Sequence, residues 1–153
     1  MKRLTILILV CLLLLSATAC SVQTRQDLVL ESIGEFDSKQ FWTHGGFQDY
    51  TDFGVYTYSS AKVDKSQYFS EVSVDDIETI GAFVNDFEGW IETFQESNPN
   101  GELVSNYAFD RSIIDLEDYF YIFEKENYPE FGYYDLWFFD TQTNVLYYFH
   151  NNI

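Results

Sequence analysis

Basic residues, cysteines and prolines are scarce in this chain. Its 153 residues carry 8 Lys and Arg against 25 Asp and Glu, a formal net charge of −17. No surplus of positive charge exists to neutralise phosphates, so a nucleic-acid binder working through a basic face is excluded. Cysteines number 2, too few for a disulfide scaffold, a zinc ribbon or an iron–sulfur site. Histidines also number 2, His44 and His150, and neither lies in a G-x-S-x-G or H-E-x-x-H motif. What is abundant is apolar: 46% of residues are hydrophobic and 20% aromatic, which supplies a core and excludes a disordered acidic tail. The length suits one compact domain and is too short for two ordinary ones.

The N-terminus has its own layout. Met1-Lys2-Arg3 is basic, residues 4–15 are a nearly unbroken apolar run, and Ser16-Ala17-Thr18-Ala19-Cys20 is small-residue in character. Basic, then apolar, then small is the order of a secretory signal. A helix of that apolar run rises about 18 Å, well short of a hydrocarbon core of about 30 Å, so a permanent span is not expected. Ala17-Thr18-Ala19 fits an A-x-A cleavage site that would release a soluble product. The segment ending at Cys20 also resembles the lipobox of bacterial lipoproteins, with Ala17 where that family usually has Leu, Val or Ile. The resemblance implies a diacylglyceryl group on the Cys20 sulfur, cleavage just before it, and anchorage on the extracytoplasmic face of the cell membrane. Cys11 lies in the apolar run and would be lost, leaving Cys20 as the lone thiol, which favours lipidation over simple secretion. The C-terminal run Leu146-Tyr-Tyr-Phe-His-Asn-Asn-Ile153 is similar to that of small lipoproteins of Gram-positive bacteria.

The expected organisation is a signal peptide over 1–19, a tether over 20–39, within which Leu28, Val29, Leu30 and Ile33 fit a short helix or an edge strand, and a single domain over 40–153, because every aromatic falls from Phe36 onward. Loss of Lys2 and Arg3 leaves the remainder still more acidic, so an anionic membrane surface repels it and the body is expected to stand off on its tether. Gly45-Gly46 reads as a turn. Strands are expected over 53–58, 68–72, 118–123, 133–140 and 145–150. The segment 103–109 fits either a strand or an irregular return. A long helix is expected over 73–96: Ser73 and Asp76 form a capping-box-like start, and Ile77, Ile80, Val84, Phe87, Ile91 and Phe94 recur at spacings of three and four. Asn98-Pro-Asn-Gly101 ends it. The fold class is therefore α+β: an antiparallel sheet of about five strands with one long amphipathic helix packed on one face.

If Asp140 pairs with Val145 across the loop 141–144, Asp135 lies opposite His150 and the last hairpin is aromatic on both faces. One long helix covers one face only. Tyr133, Asp135, Trp137, Phe139, Tyr148 and His150 then form the candidate binding surface, provided no loop covers it. No catalytic set, metal site or cofactor motif emerges. His150 with Asp135 reads as a cross-strand ion pair rather than an oriented base. Asp140-x-Gln142-x-Asn144 and the acids Asp110, Asp115, Glu117 and Asp118 read as loop acids rather than calcium ligands. The leading functional expectation is a non-enzymatic, lipid-anchored binding module for a cationic peptide or another envelope component. The alternative is a sugar- or small-solute-binding accessory protein, and a small envelope hydrolase comes third. The address is checked by intact-mass analysis of the native product: a chain starting at a diacylglyceryl-modified Cys20 is expected, and a bare thiol or a retained Met1 refutes it.

Overall fold

The computed structural model describes residues 23–46 and 49–153. The signal-peptide and Cys20 readings lie outside the described residues. Among the described residues, three α-helices, α1 (Arg25–Ile33), α2 (Val74–Ser97) and α3 (Glu102–Asn106), accompany six strands: β1 (Ser38–Gly45), β2 (Tyr50–Thr57), β3 (Ser70–Glu71), β4 (Tyr119–Glu124), β5 (Tyr133–Asp140) and β6 (Val145–Asn152). All pairings are antiparallel, in the order β1-β2-β6-β5-β4-β3. The fold is thus mixed α+β with one long helix, and its sheet has six strands rather than five.

The β5–β6 hairpin lies at the centre of the sheet, in the expected register: Asp140 pairs with Val145 and Asp135 with His150. The connecting turn is set by Asp140, whose carboxylate accepts from the Gln142 N–H at 2.8 Å and from the Thr143 hydroxyl. Asn144 takes a positive φ of 56°, a conformation Asn tolerates. Asp118 likewise accepts from the Thr141 N–H at 2.9 Å and the Asp115 N–H at 2.9 Å. These acids shape loops through ordinary side-chain-to-backbone bonds.

Helix α2 starts as its sequence indicates: the Asp76 carboxylate accepts from the Ser73 backbone N–H at 2.9 Å and from the Ser73 hydroxyl. Ile80, Phe83, Val84, Phe87 and Ile91 are buried, whereas Ile77 is exposed and Phe94 half-buried at the two ends of the stripe. This stripe packs on Phe53, Leu136, Phe138 and Phe149 of the sheet, with Leu103 of α3 and Phe109 closing the same core.

The opposite face is not open. Val29, Leu30 and Ile33 of α1, with Val63 and Phe69 from the β2–β3 connection, cover Tyr56, Trp137, Phe139, Leu146 and Tyr148. Most of the expected tether over 20–39 belongs to the ordered body instead: α1 occupies 25–33 and β1 begins at Ser38. Thr24 and Asp27 form a reciprocal capping box, and the 29, 30, 33 spacing puts three apolar side chains on one side of the helix. Gly34 ends it at φ 110°, and the Lys62 N–H donates to the Ile33 carbonyl at 2.9 Å, fixing the helix end to the body.

Strand β1 is the sixth strand. It is an edge strand whose side chains are exposed or half-buried, so no apolar alternation marks it in sequence. Its link to β2 turns at Gly45, with φ 116° and the Gly46 N–H donating to the Asp49 carbonyl at 3.0 Å. The expected strand over 68–72 shrinks to Ser70–Glu71, and 103–109 resolves into α3 and an irregular return.

On the α1 face Gly54 sits between Phe41 and Tyr148, its cross-strand neighbours. A Cβ there would lie 2.9 Å from Tyr56 Cε2 and 3.1 Å from Phe41 Cδ2, so the bare backbone makes room for the aromatic rings above it. Ile33→Ala should lower stability by about 2–4 kcal/mol in urea denaturation, because the side chain is fully buried in the second core. A loss under about 0.5 kcal/mol would mean that α1 is not part of the cooperative body.

Candidate functional site

The expected surface is where the structure departs most from an open binding face. Trp137, Phe139, Asp135, Tyr148 and His150 are all buried, and Tyr133 is half-buried. The alternation placed them on one face correctly; α1 then covers that face. Trp137 and Tyr148 pack ring against ring at 4.0 Å, which makes them core rather than platform.

A polar cluster persists at one end of this face, beyond the apolar cover. His150 Nδ1 lies 2.8 Å from Asp135 Oδ1, and the Tyr148 hydroxyl donates to that same oxygen at 2.7 Å. A carboxylate accepting two hydrogen bonds requires Nδ1 to carry its hydrogen. Tyr50 and Tyr133 flank the imidazole, with ring centroids at 4.7 and 5.3 Å. Asp52, on β2, is the cross-strand partner of His150 on its other side. Its carboxyl is raised above the usual carboxylate range, chiefly by burial, against a hydrogen bond from Thr43 and the nearby His150. The Tyr148 hydroxyl is also pushed well up, first by burial and then by the charge of Asp135. Sequence reading found the Asp135–His150 pair and missed Asp52, Thr43 and Tyr50. An acid inside an otherwise apolar strand, at Asp52, was the available signal.

A second feature lies on the surface, between the first turns of α2 and the β4–β5 connection. A groove of about 400 Å³ is lined by Asp75, Glu78, Glu124 and Glu130, with Phe83 and Phe131 among its apolar walls. Phe131 holds a positive φ of 58°, which is uncommon for an aromatic residue, and its ring meets Phe83 edge-on at 5.0 Å. No Lys or Arg lines the groove.

Four of the six Lys and Arg among the described residues are committed elsewhere. Arg25 lies over the Phe123 ring, Lys39 over Phe41, and Lys125 over Tyr128 and Tyr133. Arg111 pairs with Glu88, the one Lys/Arg–carboxylate ion pair among the described residues. Nearly all the negative charge is therefore left without a local countercharge.

Tyr148→Phe removes one of the two donors to the Asp135 carboxylate. A loss of about 1.5–3 kcal/mol is expected in chemical denaturation, because the bond is buried and charge-assisted. An unchanged midpoint would show that the hydroxyl is not bonded in solution. Compared with known proteins, the chain matches no family model, no curated protein and no solved structure.

Proposed function

We propose that this chain is an extracytoplasmic lipoprotein, held to the cell membrane through Cys20, that binds a cationic and partly apolar partner such as a basic peptide. The observation that carries this reading is the groove beside α2. Four carboxylates stand around phenylalanine side chains in a cleft without a single cation. Carboxylates at a partly solvated rim attract and orient a basic partner, while the half-buried Phe131 offers apolar contact for a side chain between the charges. The net charge of −17 adds a field that speeds the approach of a cation and repels anionic ligands. The buried face of β5 and β6 takes no part in this reading, and a sugar-binding role loses the aromatic platform it needed.

Calorimetry at low salt with a basic, amphipathic peptide should show binding that weakens at least about tenfold between 20 mM and 500 mM salt. Replacing Glu78 and Glu130 together with Gln should weaken it roughly fivefold or more, at about 0.5–1 kcal/mol per rim carboxylate. No heat with a panel of such peptides, or equal binding by the double variant, refutes the assignment. Neutral glycans bound at high salt would favour the sugar-binding alternative.

A further inference from the structure

Helix α1 ends at a surface depression that shares no residue with the groove beside α2. Its volume is about 390 Å³, and Leu30, Glu31, Gly34, Glu35 and Phe36 line it. Phe36 is 40% exposed, the one phenylalanine among the described residues that the fold leaves to solvent. The rings of Tyr56 and Tyr58 meet it edge-on at 5.4 and 6.4 Å, which braces the ring without covering it. Gly34 keeps the space beside it open. Its φ of 110° suits glycine, and a Cβ there would meet nothing nearer than the Ser60 carbonyl oxygen at 3.9 Å.

The rim of this apolar depression is negative twice over. The C-terminal end of a helix carries partial negative charge, which a Lys, Arg or His in the last turn normally offsets. The last turn of α1 has no basic residue. It carries Glu31 instead, and Glu35 follows just past Gly34. No Lys or Arg side chain lines the depression. The Gln23 amide donates to both oxygens of Glu31, at 3.0 and 2.9 Å. That bond fixes the carboxylate in place and leaves its charge uncancelled. Such an arrangement is repulsive by itself and becomes favourable once a cation joins it.

We infer that this depression is a binding site for a small amphiphilic cation, an aliphatic chain bearing one ammonium group. The chain lies against Leu30 and Phe36, and the ammonium meets Glu31, Glu35 and the helix end. The Phe36 ring also attracts a cation held over its face. Charge complementarity selects this occupant: an alkyl carboxylate of the same length meets repulsion at the rim and from the net charge of −17. Size selects a small molecule over a peptide. The volume lies at the lower end of the range for small-molecule sites, and a single helix end with the turn after it supplies every wall. The assignment owes nothing to the groove beside α2 or to the anchor at Cys20.

The test is calorimetry of the full chain with octylammonium, at low salt and below the concentration at which it forms micelles. Saturable binding is expected. Octanol and octanoate should bind at least about tenfold more weakly, the first lacking the charge and the second reversing it. Butylammonium should also bind at least about tenfold more weakly, because its shorter chain leaves much of the apolar wall uncovered. Replacing Glu31 and Glu35 together with Gln should weaken octylammonium roughly fivefold. Phe36→Ala should weaken it by a similar factor of about five. Replacing Glu71 and Glu126 together with Gln removes as much charge from exposed positions elsewhere and should change binding less than about twofold.

Absence of saturable binding overturns the inference. So does octanol binding as tightly as octylammonium, which would make the depression an apolar patch without preference for a cation. Equal losses in the two double-Gln variants would assign the attraction to the overall field rather than to this site. The carboxylate variants lie at exposed positions, so their result stands even if Phe36→Ala does not fold. Failure here leaves the peptide reading intact, since that reading is tested with a different ligand and through Glu78 and Glu130.

Discussion

A sheet whose central hairpin is apolar on both sides must be covered on both sides. Strands β5 and β6 bury Leu136, Phe138 and Phe149 on one face and Trp137, Phe139, Leu146 and Tyr148 on the other. Everything else is arranged around that requirement. Helix α2 covers the first face with a stripe long enough to span the strands. The second face receives a shorter helix and a loop, Val29, Leu30 and Ile33 with Val63 and Phe69. Gly54 admits the rings of Tyr56 and Phe41 at close range, so that even the backbone is shaped by aromatic packing.

The charge distribution follows from the same economy. With most of the aromatic surface committed inward, the exterior is left to carboxylates, and three of the scarce cations, Arg25, Lys39 and Lys125, lie over aromatic rings while Arg111 pairs with Glu88. A surface of one sign keeps molecules apart and repels anionic neighbours. It also means that the negative field reaches whatever approaches the groove beside α2. The buried Asp135–His150–Asp52 cluster is the exception, since there the charges are held in low dielectric and must settle their accounts locally.

Periodicity made the central elements legible. The spacing of Ile80, Val84, Phe87 and Ile91 marked α2, the Ser73 and Asp76 pair marked its start, and the loop 141–144 fixed the hairpin register down to Asp135 facing His150. Strand β1 escaped because an exposed edge leaves no apolar alternation to read. Helix α1 was half legible: the cluster Leu28, Val29, Leu30 and Ile33 fitted a short helix or an edge strand, and the absence of aromatics placed the segment in a linker. The candidate site failed for a related reason: alternation says which side chains share a face, but not what lies over it. The groove was illegible in sequence, since Asp75, Glu78, Glu124 and Glu130 are joined only by the crossing of α2 over the β4–β5 connection.

The position of α1 also sets a length. On the proposed anchor at Cys20, four residues of sequence separate it from Arg25, where α1 begins, which bounds the span between them at about 17 Å. On that proposal so short a separation would keep the domain close to the bilayer, where repulsion from anionic lipids would orient it rather than carry it away. On the same proposal a pull on the anchor would reach α1 first, so the helix that covers the second core would also bear mechanical load.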